Sequence, residues 1–348
     1  MTLETTLEDL GWAEDFQSQL TDEDAGLTPM RISEVHRSKI RALSTTDAHL
    51  LVFPSHITSG DVAVGDWILV EGDIARIVRL LDRRSCLTRR AAGPDLRKQL
   101  VAANVDTLFI VTSCNADFNE ARIERFISMA FEAGTTPVII ATKADNAEDA
   151  ADYVARAEKL SLGQVALAIN AHDPEDLKRL APWCGPRQTI ALLGSSGVGK
   201  TTITNGIAGT TQATAEIRED DARGRHTTTS RALHRIQGGG WLLDTPGMRE
   251  FGLFDASEGI NTVFQDVMQY ADSCKFRDCA HEGEPGCAVQ KAVKSGELDP
   301  DRLKRWQKLQ REDSLQVETV AQTRKRSRTM VKMHKTAKQL RNRKVDGD

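Results

Sequence analysis

A phosphate-binding motif is the feature of this sequence that most restricts its fold. Residues 194–201 read GSSGVGKT and match the pattern G-x-x-x-x-G-K-[ST] at every fixed position. The apolar stretch QTIALL precedes the motif and a helix-compatible stretch follows it, which is the strand, loop and helix context that the pattern requires. Apolar stretches alternate with helical patterns over much of 104–254, so the sequence predicts an α/β domain with a parallel sheet and helices on both faces.

The residues of this loop predict how a nucleotide is held. Glycine allows backbone N–H groups to curl around phosphate oxygens, and the N-terminus of the following helix adds a partial positive charge. We expect the ammonium group of Lys200 to reach the β and γ phosphates and the hydroxyl of Thr201 to bind Mg²⁺. The predicted nucleotide contacts of the loop are Gly194, Ser195, Ser196, Gly197, Val198, Gly199, Lys200, Thr201 and Thr202.

A second stretch, LLDTPG at 242–247, lies downstream of the loop. Asp244 ends an apolar strand, where a carboxylate can hold the shell of Mg²⁺, and the N–H of Gly247 can meet the γ-phosphate. D-T-P-G is by itself a common turn sequence, so its position after the phosphate loop carries the prediction. The stretch is expected to be a nucleotide-dependent switch.

The stretch TKAD at 142–145 follows another apolar strand, where a GTPase has N-K-x-D. Asp145 can accept two hydrogen bonds from guanine that adenine cannot donate, and Lys143 can lay its stem along the base and sugar. Thr142 replaces the expected asparagine, and Ala171 is a weaker candidate to donate its N–H to the guanine oxygen. The alternatives are an ordinary strand-to-helix loop, or a phosphate-loop ATPase or kinase.

The order of these motifs is unusual, because the base-reading stretch precedes the phosphate loop instead of following it. A parallel sheet whose strands are cut and rejoined differently keeps the same spatial site while the order of motifs changes. The sequence therefore predicts a circularly permuted GTPase domain.

A cysteine and histidine cluster lies beyond that domain. Three of the six cysteines fall together with one histidine in the pattern C-x4-C-x-H-x5-C. In a cytosolic chain this grouping favours a metal over disulfides, and three thiolates with one imidazole suit tetrahedral, structural Zn²⁺. The alternative is three reduced cysteines near a loop histidine. The predicted ligands of one zinc ion are Cys274, Cys279, His281 and Cys287.

The length of 348 residues predicts two or three domains. Short apolar stretches separated by glycine turns, between about Arg31 and Arg90, indicate a small β-barrel of a type that commonly binds nucleic acid. The predicted organisation is a mobile N-terminal lead (1–30), an RNA-binding OB-like β-barrel (31–92), the permuted GTPase domain (93–254), and a zinc-binding helical module with a basic tail (255–348).

Charge is distributed unevenly along the chain. The formal net charge is −4, yet residues 322–344 contain ten Lys or Arg and no acidic residue. Such a segment suits a polyanion such as nucleic acid, because each neutralised phosphate releases counterions; a solvated tail is the alternative. The sequence shows neither a signal peptide nor an apolar run long enough to span a membrane, so we expect a cytoplasmic protein without a membrane partner.

The motifs taken together resemble the RsgA (YjeQ) family of circularly permuted GTPases, which act in maturation of the small ribosomal subunit. The resemblance rests on T-K-x-D, the phosphate loop, GRHTTTSR (224–231), DTPG and CKFRDCAHEGEPGC (274–287), in that order. It extends from about residue 31 to 310 and includes AANVD and DFNEARIERF. Thr142 and the stretch INAHD depart from the pattern of the family.

The resemblance implies several roles. Met248 stands where Ras-type enzymes carry a water-orienting glutamine, and the family implies His226 as the group that aligns or deprotonates water, with Lys200 and Gly247 completing the catalytic set. Thr228 is the implied Mg²⁺ contact of the threonine run.

The family also implies a protein that binds GTP or GDP, the small ribosomal subunit and its rRNA. We expect a monomer, because the partner would supply the large interface. It would assist late maturation of the subunit and be released by subunit-stimulated hydrolysis. The alternative is an rRNA-binding module with a regulatory, weakly hydrolysing nucleotide site, which Thr142 and Met248 favour.

Overall fold

The computed structural model of the protein describes residues 5–72, 76–90, 98–208, 232–244 and 256–315. The first described segment contains helix α1 (Glu14–Gln17) and a 3₁₀ turn (Asp22–Asp24). The sequence predicts a mobile lead here, but the structure buries the side chains of Leu10, Trp12 and Phe16. The described part of this segment is therefore packed against the body of the protein, because large apolar side chains offset its otherwise polar composition.

Five antiparallel strands follow and form a sheet that we call the β unit. Its hydrogen-bonded order is β3-β2-β1-β4-β5, and the end strands β3 and β5 also contact each other. Alternate side chains enter its core, among them Ile32, Ile40 and Ile68. The strands are β1 (Thr28–Val35), β2 (Lys39–Leu43), β3 (Ala48–Val52), β4 (Trp67–Glu71) and β5 (Arg76–Leu80).

The central sheet contains five parallel strands in the order β10-β9-β8-β11-β13. Strand β12 pairs antiparallel with β13 and also with β1, so the β unit and the central sheet form one continuous sheet of eleven strands. A separate antiparallel hairpin of β6 and β7 lies between them in the chain. The bounds are β6 (Cys86–Arg90), β7 (Lys98–Ala103), β8 (Thr107–Ser113), β9 (Thr136–Thr142), β10 (Val165–Ala168), β11 (Thr189–Gly194), β12 (Ala232–Arg235) and β13 (Trp241–Asp244).

Helices cover both faces of the parallel strands. On one face Ile110 of β8 belongs to the same buried cluster as Ile127 of α2, and on the other face Val111 clusters with Ile203 of α6. This alternation follows from the two-residue period of a strand that is buried on both sides. The helices are α2 (Glu120–Glu132), α3 (Ala150–Glu158), α4 (Pro174–Lys178), α5 (Ala181–Cys184) and α6 (Lys200–Ala208).

Between residues 256 and 315 the chain is mainly helical and is fixed to α2. A Cβ at Gly259 would lie 2.0 Å from the backbone oxygen of Ser128, so only glycine allows this close crossing. The buried carboxylate of Glu124 accepts hydrogen bonds from Arg302 at 2.7 Å and from Arg305 at 2.9 Å. The helices are α7 (Ser257–Val263), α8 (Gln265–Ala271), α9 (Ala288–Ser295) and α10 (300–315).

The observed architecture agrees with the predicted mixed α/β fold with a large sheet and with the strand-helix alternation that surrounds the phosphate motif. The predicted strand before TKAD is β9, and helix α2 precedes it in the chain. Within the described ranges, the helices lack the combination of length and apolar character that crossing a membrane requires.

Candidate functional site

The phosphate loop joins β11 to α6 and has the backbone that its glycines permit. A Cβ at Gly194 would lie 2.2 Å from the carbonyl oxygen of Val111 in β8, so the loop leaves the sheet in close contact with the neighbouring strand. Gly199 has φ +96°, a conformation that side chains rarely adopt, and helix α6 begins immediately afterwards. Helix α6 therefore begins at the carboxyl edge of the sheet, the position at which the first N–H groups of a helix can bind phosphate.

Lys200 lies over this loop. Its Nζ donates to the carbonyl oxygen of Gly194 at 2.7 Å and to that of Ser195 at 2.5 Å. The ammonium group is thus held at the mouth of the loop by two backbone oxygens. Exchange of one of these weak neutral acceptors for a phosphate oxygen gives a stronger, charge-assisted hydrogen bond.

The predicted magnesium residues occupy neighbouring elements. Thr201 and Thr202 lie in the first turn of α6, and the backbone of Asp244 ends β13, which pairs with β11 in the sheet. Carboxyl ends of adjacent parallel strands meet at one edge, so Asp244 and the phosphate loop share that edge. The predictions for His226, Thr228 and Gly247, together with the basic tail, fall outside the described residues.

Thr142 links the predicted base-reading stretch to the phosphate loop. It ends β9, is 1% exposed, and its hydroxyl lies 2.6 Å from the carbonyl oxygen of Val198. A second acceptor, the carbonyl of Thr112 at the end of β8, lies 3.1 Å away. A Cβ at Gly199 would come within 3.3 Å of the same hydroxyl. The threonine, which stands where an asparagine is expected, therefore ties the two loops together.

The rest of the predicted base-reading stretch is more exposed than Thr142. Lys143 has φ +60° and caps a 3₁₀ turn, and Asp145 within that turn is exposed. The N–H of Ala144 donates to the carbonyl oxygen of Ile169, so the turn is attached to the segment after β10. Ala171, the other predicted base contact, is buried in that segment. The predicted guanine contacts thus lie on two adjoining loops.

Cys114 also adjoins this stretch, which sequence reasoning did not predict. Its N–H donates to the carbonyl oxygen of Thr142 at 2.8 Å, and its thiol is buried. Burial, together with the negative charge of Asp145, raises the pKa of the Cys114 thiol to about 11. The only sequence signal for this position was its place directly after an apolar strand.

The structure brings all four predicted zinc ligands together. The ligand atoms of Cys274, Cys279, His281 and Cys287 lie within 4.8 Å of one another. The Sγ atoms of Cys274 and Cys287 are 3.9 Å apart, and Nδ1 of His281 lies 3.5 Å and 3.4 Å from them. Tetrahedral zinc with Zn–S of about 2.3 Å and Zn–N of about 2.0 Å would place sulfur atoms about 3.8 Å apart and sulfur about 3.5 Å from nitrogen. The spacing therefore fits a four-coordinate zinc ion.

Backbone donors and side chains surround this cluster, which we call the Cys3His cluster. The N–H of Ala288 donates to Sγ of Cys274 at 3.3 Å, and the N–H of Gln290 donates to Sγ of Cys287 at 3.4 Å, so backbone donors help to orient both sulfur atoms. The ring of Trp306 on α10 lies 5.4 Å from that of His281. Burial lowers the pKa of His281, which keeps its imidazole neutral, as a metal ligand must be.

Comparison with known sequences gives a consistent result. A sequence profile described as RsgA GTPase matches residues 80–254. A protein of Mesorhizobium japonicum named Small ribosomal subunit biogenesis GTPase RsgA is 53% identical over 312 residues, which cover 88% of this chain and 90% of that protein. A Vibrio vulnificus protein named Small ribosomal subunit biogenesis GTPase RsgA 2 is 45% identical over 333 residues, covering 95% and 94%.

Solved structures show a similar fold. The crystal structure of YjeQ from Thermotoga maritima has a TM-score of 0.61 and 22% identity, covering 81% of this chain and 97% of that chain. The crystal structure of YloQ, described as a circularly permuted GTPase, has a TM-score of 0.58 and 22% identity, covering 88% and 98%. At 22% identity, this similarity shows a shared fold.

Proposed function

The chain belongs to the RsgA GTPase family, and from this premise we propose that it hydrolyses GTP in the biogenesis of the small ribosomal subunit. One observation carries the nucleotide assignment: the hydroxyl of Thr142 lies 2.6 Å from the carbonyl of Val198. This contact holds the TKAD stretch and the phosphate loop in one site, although they are distant in sequence. A single molecule of GTP can therefore contact both.

We assign the phosphates to the loop 194–202 and the base to the two loops beside it. Lys200 would neutralise the β and γ phosphates, while Asp145 would accept the two guanine N–H donors and Lys143 would cover the base. Ala171 would donate its N–H to the guanine oxygen. Mg²⁺, when bound with GTP, neutralises phosphate charge, and Thr201, Asp244 and Thr228 are the residues proposed to hold it.

The hydrolytic step is assigned to residues that follow the phosphate loop in the chain. His226 would orient or deprotonate the attacking water, because imidazole changes protonation near neutral pH. The N–H of Gly247 would contact the γ-phosphate. The conformation of the segment that leads into α7 would then depend on whether the γ-phosphate is present. With Met248 in place of a water-orienting glutamine, we expect slow turnover until a partner orders the site.

The Cys3His cluster would hold one structural zinc ion. Four protein ligands leave no open position on the metal, so the ion would stabilise the fold of the segment and take no part in hydrolysis. Contacts with α10 support this reading, since the ring of Trp306 packs near that of His281 and the amide of Gln307 donates to the carbonyl oxygen of His281. A module with this zinc site would occupy 255–348.

The remaining parts would grip RNA. The OB-like β-barrel proposed for residues 31–92 would bind RNA, and the basic tail at 322–344 would contact phosphates, so that affinity falls steeply with salt. We expect a cytoplasmic monomer, because the small ribosomal subunit would supply the large interface. Hydrolysis stimulated by the subunit would release the protein after late maturation.

A base-exchange experiment tests the nucleotide assignment. Asp145→Asn replaces an acceptor of two guanine N–H groups with an amide, so affinity for GTP should fall about a hundredfold or more while affinity for xanthosine triphosphate rises. Glu148→Gln, which changes a nearby exposed carboxylate, is the matched control and should leave both affinities unchanged. Unaltered GTP binding by Asp145→Asn would reject the proposed role of Asp145.

A further inference from the structure

Arg31 is a buried cation outside the nucleotide site and the Cys3His cluster. It lies in β1 and is 1% exposed. Its guanidinium group donates to the carbonyl oxygen of Leu10 at 2.6 Å and to the hydroxyl of Thr189 at 2.8 Å. A longer bond of 3.4 Å reaches the carbonyl oxygen of Asn104. The side chain thus joins three segments that are far apart in sequence.

These acceptors belong to different parts of the fold. Thr189 begins β11, the strand that ends in the phosphate loop, whereas Leu10 belongs to the N-terminal segment. That segment makes a second bond to the central sheet, because Nε1 of Trp241 donates to the carbonyl oxygen of Asp9 at 2.7 Å. Trp241 begins β13, the strand that ends at Asp244. Arg31 therefore connects the β unit directly to β11, and the N-terminal segment that Arg31 also holds is bonded to β13 through Trp241.

The backbone around Arg31 is shaped to accept the guanidinium group. Gly11 has φ +93°, and a Cβ there would lie 2.5 Å from Nη1 of Arg31. The N-terminal segment can approach this closely only because glycine lacks a side chain. Two carboxylates, those of Asp106 and Asp66, attract the cation without accepting its hydrogen bonds in the described part of the chain.

Burial of this charge requires an explanation. Desolvation lowers the pKa of Arg31 to about 10, which still leaves the group protonated at neutral pH. Burying a charged group is unfavourable unless it is paired and hydrogen-bonded, and apolar side chains of similar volume often replace buried ions without loss of stability. A guanidinium group differs from an apolar side chain in that it has hydrogen-bond donors that point in fixed directions. The arrangement favours a role in fixing geometry over a role in stability alone.

We propose that Arg31 is a positioning residue that fixes the orientation of the β unit on the central sheet and thereby couples the β unit to β11 and β13. The pairing of β1 with β12 and apolar contacts already join the two parts. The directional bonds of Arg31 to Leu10 and Thr189 add a restraint on how the β unit can slide or rock against the central sheet. The functional consequence rests on the proposed function: a ribosomal subunit held by the β unit acts on the nucleotide site through this joint.

A distance measurement tests the structural claim without any ribosome. Spin labels on genetically encoded keto amino acids at Val52 and Leu162, which are 74% and 83% exposed, report the separation of β3 from the turn before β10. We expect one narrow distance distribution in the wild type and a broader or shifted one in Arg31→Met. An unchanged distribution in folded Arg31→Met overturns the proposal.

A milder variant tests the proposal even if Arg31→Met does not fold. Thr189→Val keeps the shape of the side chain and removes one acceptor of Arg31, so it should broaden the distribution less than Arg31→Met. Thr107→Val is the matched control, since Thr107 is a buried threonine at the start of the neighbouring strand β8 and is not an acceptor of Arg31. If Arg31→Met does not fold, Thr189→Val decides: a distribution equal to that of Thr107→Val overturns the proposal.

Phosphate release provides the functional readout. In Arg31→Met we expect basal GTP hydrolysis within about twofold of wild type, and stimulation by small subunits reduced by about fivefold or more, in the range of measured coupling energies. Arg31→Lys, which keeps the charge, should recover part of the stimulation. Equal losses of basal and stimulated rates would show a structural role only. Absence of stimulation in the wild type would instead reject the proposed function, while the distance measurement still decides the role of Arg31.

Discussion

The hydroxyl of Thr142 lies 2.6 Å from the carbonyl oxygen of Val198, and this contact joins the end of β9 to the phosphate loop. A hydroxyl group carries one proton, so it can satisfy either Val198 or the more distant Thr112 carbonyl fully, and the shorter distance favours Val198. Threonine therefore retains the connection between loops, whereas it has no amide with which to contact the base. The proposed recognition of guanine would then depend more heavily on Asp145.

Removal of this hydroxyl should weaken binding of every nucleotide. Thr142→Val keeps the shape of the side chain but leaves the carbonyl oxygen of Val198 without this donor, at a cost of about 1–3 kcal/mol. The lost hydrogen bond should destabilise the loop conformation that binds nucleotide. Affinities for GTP and GDP, measured by calorimetry, should therefore each fall about tenfold. The preference for GTP over ATP should stay unchanged. Thr142→Ser, which retains the hydroxyl, should bind nearly as the wild type. A loss confined to base preference would contradict this account.

The crossing of α7 and α2 should not tolerate a larger residue at position 259. In Gly259→Ala the new Cβ would meet the Ser128 backbone, which cannot move aside as a flexible side chain could. We expect a loss of about 1–3 kcal/mol in the free energy of unfolding, measured by urea denaturation. Gly60→Ala is the control, because its new Cβ would approach no atom more closely than 3.6 Å. Equal stability of the two variants would contradict the close crossing.

Zinc removal should unfold the segment that contains the Cys3His cluster. Purified protein should contain about one zinc ion per chain, as expected for a four-ligand structural site, and Cys279→Ser should lose most of it and melt at a lower temperature. Cys86→Ser, which alters a half-buried cysteine outside the cluster, should keep its zinc. Elemental analysis provides the measurement. Full zinc content in Cys279→Ser would remove that residue from the ligand set.

Stability should depend on pH through Cys114. Because burial raises the pKa of its thiol from 9.0 to about 11, the unfolded chain releases this proton at a lower pH than the folded protein. The stabilising contribution is therefore complete below pH 9 and is lost as pH rises towards 11, by up to about 1.4 kcal/mol per pH unit. The difference in unfolding free energy between wild type and Cys114→Ala should shrink from pH 8 to pH 10.5. A constant difference would contradict the assignment.

Local sequence patterns predicted the parts of the site whose residues lie close together in the chain. The phosphate loop could be predicted because its glycines and Lys200 have fixed spacing, and the Cys3His cluster because all four ligands fall within one short segment. The alternation of strands and helices predicted the parallel sheet for the same reason.

Contacts between distant segments could not be predicted in this way. The bond from Thr142 to Val198 and the bonds of Arg31 join strands whose adjacency is set only by the folded sheet. Likewise, a local sequence pattern cannot predict the pairing of β1 with β12. Burial of Trp12 and Phe16 was missed because the N-terminal segment lacks the regular apolar spacing of a helix or strand.

Phosphate release by the purified protein tests the central claim most directly. Rates with GTP and with ATP should be measured with and without small ribosomal subunits, with large subunits as the control and His226→Ala as the variant. The account predicts slow hydrolysis of GTP alone, strong stimulation by small subunits only, no comparable hydrolysis of ATP, and loss of stimulation in His226→Ala. Equal hydrolysis of ATP, or GTP hydrolysis that small subunits do not change, would contradict it.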